Sequence, residues 1–164
     1  MKKTIFPILI SLLLLYAGCK KDDQFTTGIA ATKNGTNWIA ANFGTGFKPL
    51  NTKDTLFITA NNKEEHLLIA LKQVSKGVFQ LVDQTNFYVT VGYDVVVAAY
   101  RLDNTSANQV TITAYDENTR QLKATFDLTF NSTRTDGQAD KIKFSNGKIN
   151  IPLNDVYMNP FIPQ

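Results

Sequence analysis

From Gly28 onward, apolar and polar residues alternate in short runs broken by Asn, Asp and Gly. A period of two puts one face of a strand on a core and the other in water. Thr, Val, Ile, Phe and Tyr dominate these runs, as strands favour. No window after Gly28 sustains a helical period. The pattern predicts strands at Thr55–Ala60, His66–Lys72, Gly77–Val82, Phe87–Val91 and Val95–Leu102. The last contains Val95-Val96-Val97-Ala98-Ala99-Tyr100, which is apolar on both faces and predicts cover on both sides.

Turn residues add hairpins. Asn-Gly suits a two-residue type I′ turn, because both central positions need positive φ. Asn34-Gly35 predicts Ala31 opposite Trp38 and Ile29 opposite Ala40. Asn146-Gly147 predicts a second hairpin, Asp140–Ser145 with Lys148–Leu153. Its register sets Phe144 opposite Ile149 and Ile142 opposite Ile151, with Lys141, Lys143, Lys148 and Asn150 on the other face. Pro152 predicts that this strand lies at an edge or ends there. A third hairpin joins Val110–Tyr115 to Gln121–Phe130 through Glu117-Asn118-Thr119, with Asp116 opposite Arg120. Lys48–Asp54 and Asn131–Ala139 read as loops, and Asn154–Gln164 as an irregular tail. About nine or ten short strands predict an all-β fold, a single antiparallel sandwich or barrel. Periodicity does not separate the two.

The first residues follow a different pattern. Lys2 and Lys3 precede an apolar run from Ile5 to Ala17, then Gly18 and Cys19. The run is shorter than the roughly 20 apolar residues that a spanning helix needs. It matches a secretory signal core followed by small residues. Tyr16-Ala17-Gly18-Cys19 resembles the lipoprotein signal-peptidase box, with Tyr16 where that pattern most often has Leu. The resemblance implies cleavage before Cys19 and an acylated cysteine whose sulfur carries its lipid through a thioether. Lys20-Lys21-Asp22-Asp23 resembles the export signal of surface lipoproteins in the Bacteroidota, which implies the outer face of the outer membrane. The expected division is a signal peptide at 1–18, an acylated cysteine and tether at 19–27, and a β-domain at 28–164. From Lys20 to Thr27 an extended tether reaches at most ~29 Å.

This division changes what composition means. Of the 164 residues, 18 would leave with the signal and 146 would remain. That length forms one domain with a real hydrophobic core. Cys19 is the only cysteine, so the domain is expected to fold without a disulfide. Losing Lys2 and Lys3 lowers the formal net charge from +3 to +1. No basic block remains, so nucleic acid is not an expected partner. The expected membrane contact is through acyl chains, at ~0.8 kcal/mol per buried methylene.

Asn34-Gly35-Thr36-Asn37-Trp38 resembles the opening Asn-Gly-x-x-Trp motif of small Bacteroidota lipoproteins of unknown function. Val110–Asp116 with Leu122–Phe130 is similar to their penultimate strand pair, with Ala124-Thr125-Phe126 where that family has Gly-Thr-Phe. Phe144–Ile151 resembles their terminal Asn-Gly-Lys hairpin. The resemblance implies an all-β extracellular domain and no particular chemistry.

Candidate chemistry is sparse. His66 is the single histidine, beside Glu64 and Glu65, and reads as a surface residue at a turn. A lone histidine catalyses only where a nucleophile and an orienting group converge on it. One histidine and one lipidated cysteine leave no N/S metal site, and no cofactor is expected. Asp83, Asp94, Asp116, Glu117 and Asp127 are carboxylates for a glycosidase-like pair in principle, but they fall at turns or outward strand positions. Asp136-Gly137-Gln138-Ala139-Asp140 offers two carboxylates, few for a calcium site. Trp38, Tyr88, Tyr93 and Tyr115 form a candidate stacking platform, with core packing as the alternative and favoured role. The expectation is a non-enzymatic surface lipoprotein that binds an unidentified ligand or protein. The rival is a lipocalin-like carrier, motivated by Val95–Tyr100.

Overall fold

A computed structural model describes residues 26–47, 55–75, 78–92, 95–133 and 139–153. Eleven strands form one antiparallel sheet: β1 (Gly28–Lys33), β2 (Thr36–Ile39), β3 (Asn42–Phe47), β4 (Thr55–Asn62), β5 (Glu65–Ser75), β6 (Val78–Leu81), β7 (Asn86–Val91), β8 (Val95–Leu102), β9 (Gln109–Asp116), β10 (Gln121–Ser132) and β11 (Lys141–Pro152). The main path runs β2-β1-β11-β10-β8-β7-β5-β4-β3, with β6 on β5 and β9 on β10. The sheet does not close into a barrel. It folds over on itself in a sandwich-like way, so that Phe144 of β11 meets Phe87 of β7 edge-on at 5.3 Å.

Phe144 is the hub of the core. Its ring also meets Trp38 at 5.2 Å, Phe130 at 6.1 Å and Phe126 at 6.5 Å. Ile29, Leu56, Ile58, Leu67, Ile69 and Leu122 fill the space around these rings. Each such side chain contributes about 1.5–3 kcal/mol when removed from water. The alternation that marks the strands therefore serves one continuous apolar interior.

The turn at Asn34-Gly35 follows the sequence. Asn34 and Gly35 take φ of 46° and 83°, and Ala31 pairs with Trp38. The Ala40 amide donates to the Ile29 carbonyl at 2.9 Å.

Asn146-Gly147 does not form a turn, which corrects the expected C-terminal hairpin. Residues 141–152 are one strand, paired with β1 on one side and β10 on the other. A β-bulge takes the place of the turn. Phe126 pairs with Gly147 and Leu128 with Phe144, so Asp127 alone faces Ser145 and Asn146. Asn146 adopts φ 54° and its amide donates to Asp127 Oδ1 at 2.9 Å. The extra residue switches phase, so Ile142 and Phe144 share the core with Ile149 and Ile151. A hairpin would have united the same four residues. A Cβ on Gly147 would lie 2.4 Å from Cδ1 of Phe126, so the ring packs directly on the glycine. Pro152 ends the strand, as one of its two expected roles required.

A similar shift adjusts the β9–β10 pair. Ala124 opposite Ile112 and Phe126 opposite Val110 agree with the expected register. Nearer the turn, Asp116 pairs with Gln121 rather than Arg120, and Leu122 with Tyr115. Arg120 takes φ 55°. The Thr119 hydroxyl foremost, and then the amides of Asn118 and Thr119, bind the Asp116 carboxylate and lower its pKa. Tyr115, rather than Ala114, therefore packs on the core. β3 was not expected, because Gly44 and Gly46 weaken its strand pattern. The loop expected at 131–139 starts later, because Asn131 and Ser132 still pair within β10. Its residues 134–138, the loop at 48–54 and the tail at 154–164 lie outside the described residues.

β5 and β10 each exchange one neighbour for another partway along. β5 pairs with β7 through Glu65–Leu68 and with β6 through Leu71–Ser75. β10 pairs with β8 through Phe130–Ser132 and with β9 through Gln121–Asp127. At each junction a side chain meets the backbone amide left over and a loop amide meets the carbonyl. Buried Thr85 Oγ1 binds the Ala70 amide at 3.0 Å, and the Val82 amide donates to the Ala70 carbonyl. At the second junction, Asn108 Oδ1 accepts the Thr129 amide at 2.7 Å, and the Asp103 amide donates to the Thr129 carbonyl. Unmet buried amides are costly, which explains these substitutes.

Candidate functional site

Local turn chemistry at the first junction builds a depression. The Thr85 amide donates to the Val82 carbonyl at 2.9 Å, closing a turn that carries Asp83 and Gln84 at its tip. Beside it, Thr55, Lys72 and Gln80 form one cross-strand row on β4, β5 and β6. Phe57 pairs with Ala70 one step along, in antiphase with the core residues Leu56 and Ile58. Its ring is therefore on the water-facing side and half-buried. These residues, with Leu81 and Val82, line an open depression of about 450 Å³. That volume lies within the range of small-molecule sites, about 300–1,000 Å³.

A second polar row crosses the same outer face. Asn42 pairs with Asn61, Asn61 with His66, and His66 with Tyr88. Asn61 Nδ2 donates to Asn42 Oδ1 at 2.7 Å, which turns Asn61 Oδ1 toward His66 Nδ1 at 2.9 Å. That contact places a proton on Nδ1, and Nε2 lies 3.1 Å from the Thr90 hydroxyl. Tyr88 stacks on the imidazole with ring centroids 4.6 Å apart. His66 is half-buried inside this row rather than free at a turn.

Three carboxylates are likewise committed to the fold. Glu65 faces the interior end of β5, where it accepts Lys33 Nζ and, at 2.6 Å, Trp38 Nε1. Lys33 Nζ also lies 5.6 Å from the Phe87 ring centroid. Asp103 is buried at the second junction and accepts from Thr105, Ser106 and Lys141. These bonds, that of Thr105 foremost and those of Lys141 and Ser106 after it, hold its carboxyl far below the usual range. Asp127 holds the β11 bulge. Among the described residues, no three His, Cys, Asp or Glu side chains gather as a metal site.

Among the described residues, Trp38, Tyr88 and Tyr115 do not form the candidate platform together. Trp38 is 2% exposed and belongs to the core. Tyr115 also packs on the core, whereas Tyr88 stands on the outer face with His66. Tyr93 lies outside the described residues, as do Cys19, Lys20, Lys21, Asp22 and Asp23. Cover over both faces of β8 is also not seen at its start, where Val95 and Val96 are exposed. The sequence pointed to neither Phe57 nor its depression. The outward phase of Phe57 was a local signal, but the turn beside it depends on how β5 changes partners.

A family model described as "Domain of unknown function (DUF6252)" matches residues 26–152. No curated protein and no solved structure matches the chain.

Proposed function

This chain belongs to the DUF6252 family, and on that footing we propose that it is a lipid-anchored binding module without catalytic activity. Its mature N-terminus is Cys19, whose sulfur carries a lipid through a thioether. Lys20, Lys21, Asp22 and Asp23 direct it to the cell surface, and the β-domain presents its outer face there. The observation that carries the binding role is the depression at Phe57, built from strand residues and a pinned turn. The commitment of His66, Glu65 and Asp103 to structural bonds supports a role without catalysis. The carrier alternative drew on the apolar faces of β8. Val95 and Val96 are exposed, and the interior beside Tyr100 holds Phe87 at 5.6 Å, so the module is favoured.

Palmitate labelling and protease shaving of intact cells test this together. Wild type is expected to take up label, Cys19→Ala to take up none, and the domain to be shaved. An unlabelled wild type defeats the anchor, and a domain protected on intact cells but cleaved after lysis defeats the display.

A further inference from the structure

We propose that the depression at Phe57 binds a neutral saccharide, an inference that rests on the binding-module role and names its ligand class. Among the described residues its lining carries one cation, Lys72, and one anion, Asp83. A ligand of single charge is attracted by one and repelled by the other. A neutral polyol uses both, since hydroxyls donate to a carboxylate and accept from an ammonium. The Gln80 and Gln84 side-chain amides each donate and accept, which suits the mixed edge of a sugar ring. Phe57 supplies the remaining element. Its ring lines the depression from outside the aromatic core, and the apolar C–H face of a pyranose covers such a ring. Val82, in phase with Gln80, extends that apolar surface.

The site is also preorganised. Thr85 fixes the turn to Ala70 through contacts at 3.0 and 3.3 Å, and Asn86 Nδ2 binds the Gln84 carbonyl at 2.8 Å. The turn therefore holds Asp83 and Gln84 beside the Phe57 ring without a ligand, which lowers the ordering cost of binding.

Saturation-transfer NMR on the full chain, in a detergent without a sugar headgroup, tests the assignment. The probes are neutral cello-, xylo-, malto- and manno-oligosaccharides at about 10 mM, with amino acids and nucleosides in a parallel arm. At least one oligosaccharide is expected to bind with Kd about 1 mM, saturated most on its ring C–H protons. Phe57→Ala is expected to weaken binding about tenfold, the scale of losing a stacked anchor. Gln84→Ala, on the exposed turn, is expected to weaken it about threefold and serves if Phe57→Ala does not fold. Silence from every oligosaccharide, or affinity unchanged in the variants that fold, overturns the proposal. Amino acids or nucleosides that bind alone, and are lost with Phe57→Ala or Gln84→Ala, overturn the saccharide while keeping the binding module. Silence in both arms removes both.

Discussion

Gly147→Ala perturbs the bulge where the fold departs most from its local sequence pattern. The backbone at Gly147 lies outside the left-handed region, so a methyl group meets no torsional penalty there. The obstacle is the Phe126 ring, with Cδ1, Cε1 and Cγ at 2.4, 2.5 and 2.5 Å from the new Cβ. Carbon atoms pack at about 3.5–4.0 Å, so the overlap is about 1 Å along one ring edge. Phe126 is 2% exposed and cannot swing into water. Overpacking of this kind costs about 1–3 kcal/mol, and the rigid surroundings place this case near the top of that range. In urea, with a slope of about 1–3 kcal/mol per molar, the midpoint is expected to fall by about 1–3 M. Phe126→Ala alone costs about 3–5 kcal/mol. Because it removes the obstacle, adding Gly147→Ala to it is expected to cost almost nothing further. Gly35→Ala is the control. Its φ of 83° imposes strain, but nothing lies within 4 Å of the new Cβ, so its cost adds fully to that of Phe126→Ala. A Gly147→Ala effect below about 0.5 kcal/mol, or one additive with Phe126→Ala, refutes the bulge.

Asp103→Asn is expected to flatten the acid limb of stability measured as Tm from pH 2 to 7. The folded carboxyl titrates far below its unfolded value of about 3.9, so its contribution is complete above that pH. The contribution drains as pH falls toward the depressed folded value, and the asparagine variant lacks this dependence. Glu65→Ala leaves the interior-facing Lys33 and Trp38 Nε1 without their shared acceptor, at a cost of about 1–3 kcal/mol by urea titration. The single tryptophan should then change its emission in the folded state, and an unchanged spectrum counts against the contact. Thr85→Val keeps the shape but strands the buried Ala70 amide, for about 1–3 kcal/mol. The Ala70 amide should also exchange with deuterium faster than its neighbours, and unaltered protection contradicts its dependence on Thr85.

Much of the strand pattern was legible because one core fixes the phase of every strand. Ile58, Ile69, Phe87 and Leu128 lie in the core, each within a run that alternation marked as a strand. The two Asn-Gly pairs show where local reasoning stops. Both put asparagine in the left-handed region, at φ 46° for Asn34 and 54° for Asn146. One turns the chain and the other inserts a residue into a strand, and both bring the flanking apolar residues to one face. The difference lies in Phe126, 21 residues earlier in the chain, whose ring covers Gly147. Trp38 was ambiguous for the same reason, since its partner Glu65 lies 27 residues away. At β9, a one-residue shift exchanged Tyr115 for Ala114 on the core side, and no alternation signal marks such a shift. The Phe57 depression depends on β6 giving way to β7 along β5, which follows from topology rather than composition.

The intact mass of the protein from membrane fractions tests the proposed role most directly. A chain beginning at Cys19, heavier than its 146 residues by a glyceryl thioether and fatty acyl groups, is the predicted result. A mature chain that begins elsewhere, or that retains an unmodified Cys19 thiol, contradicts the anchored module.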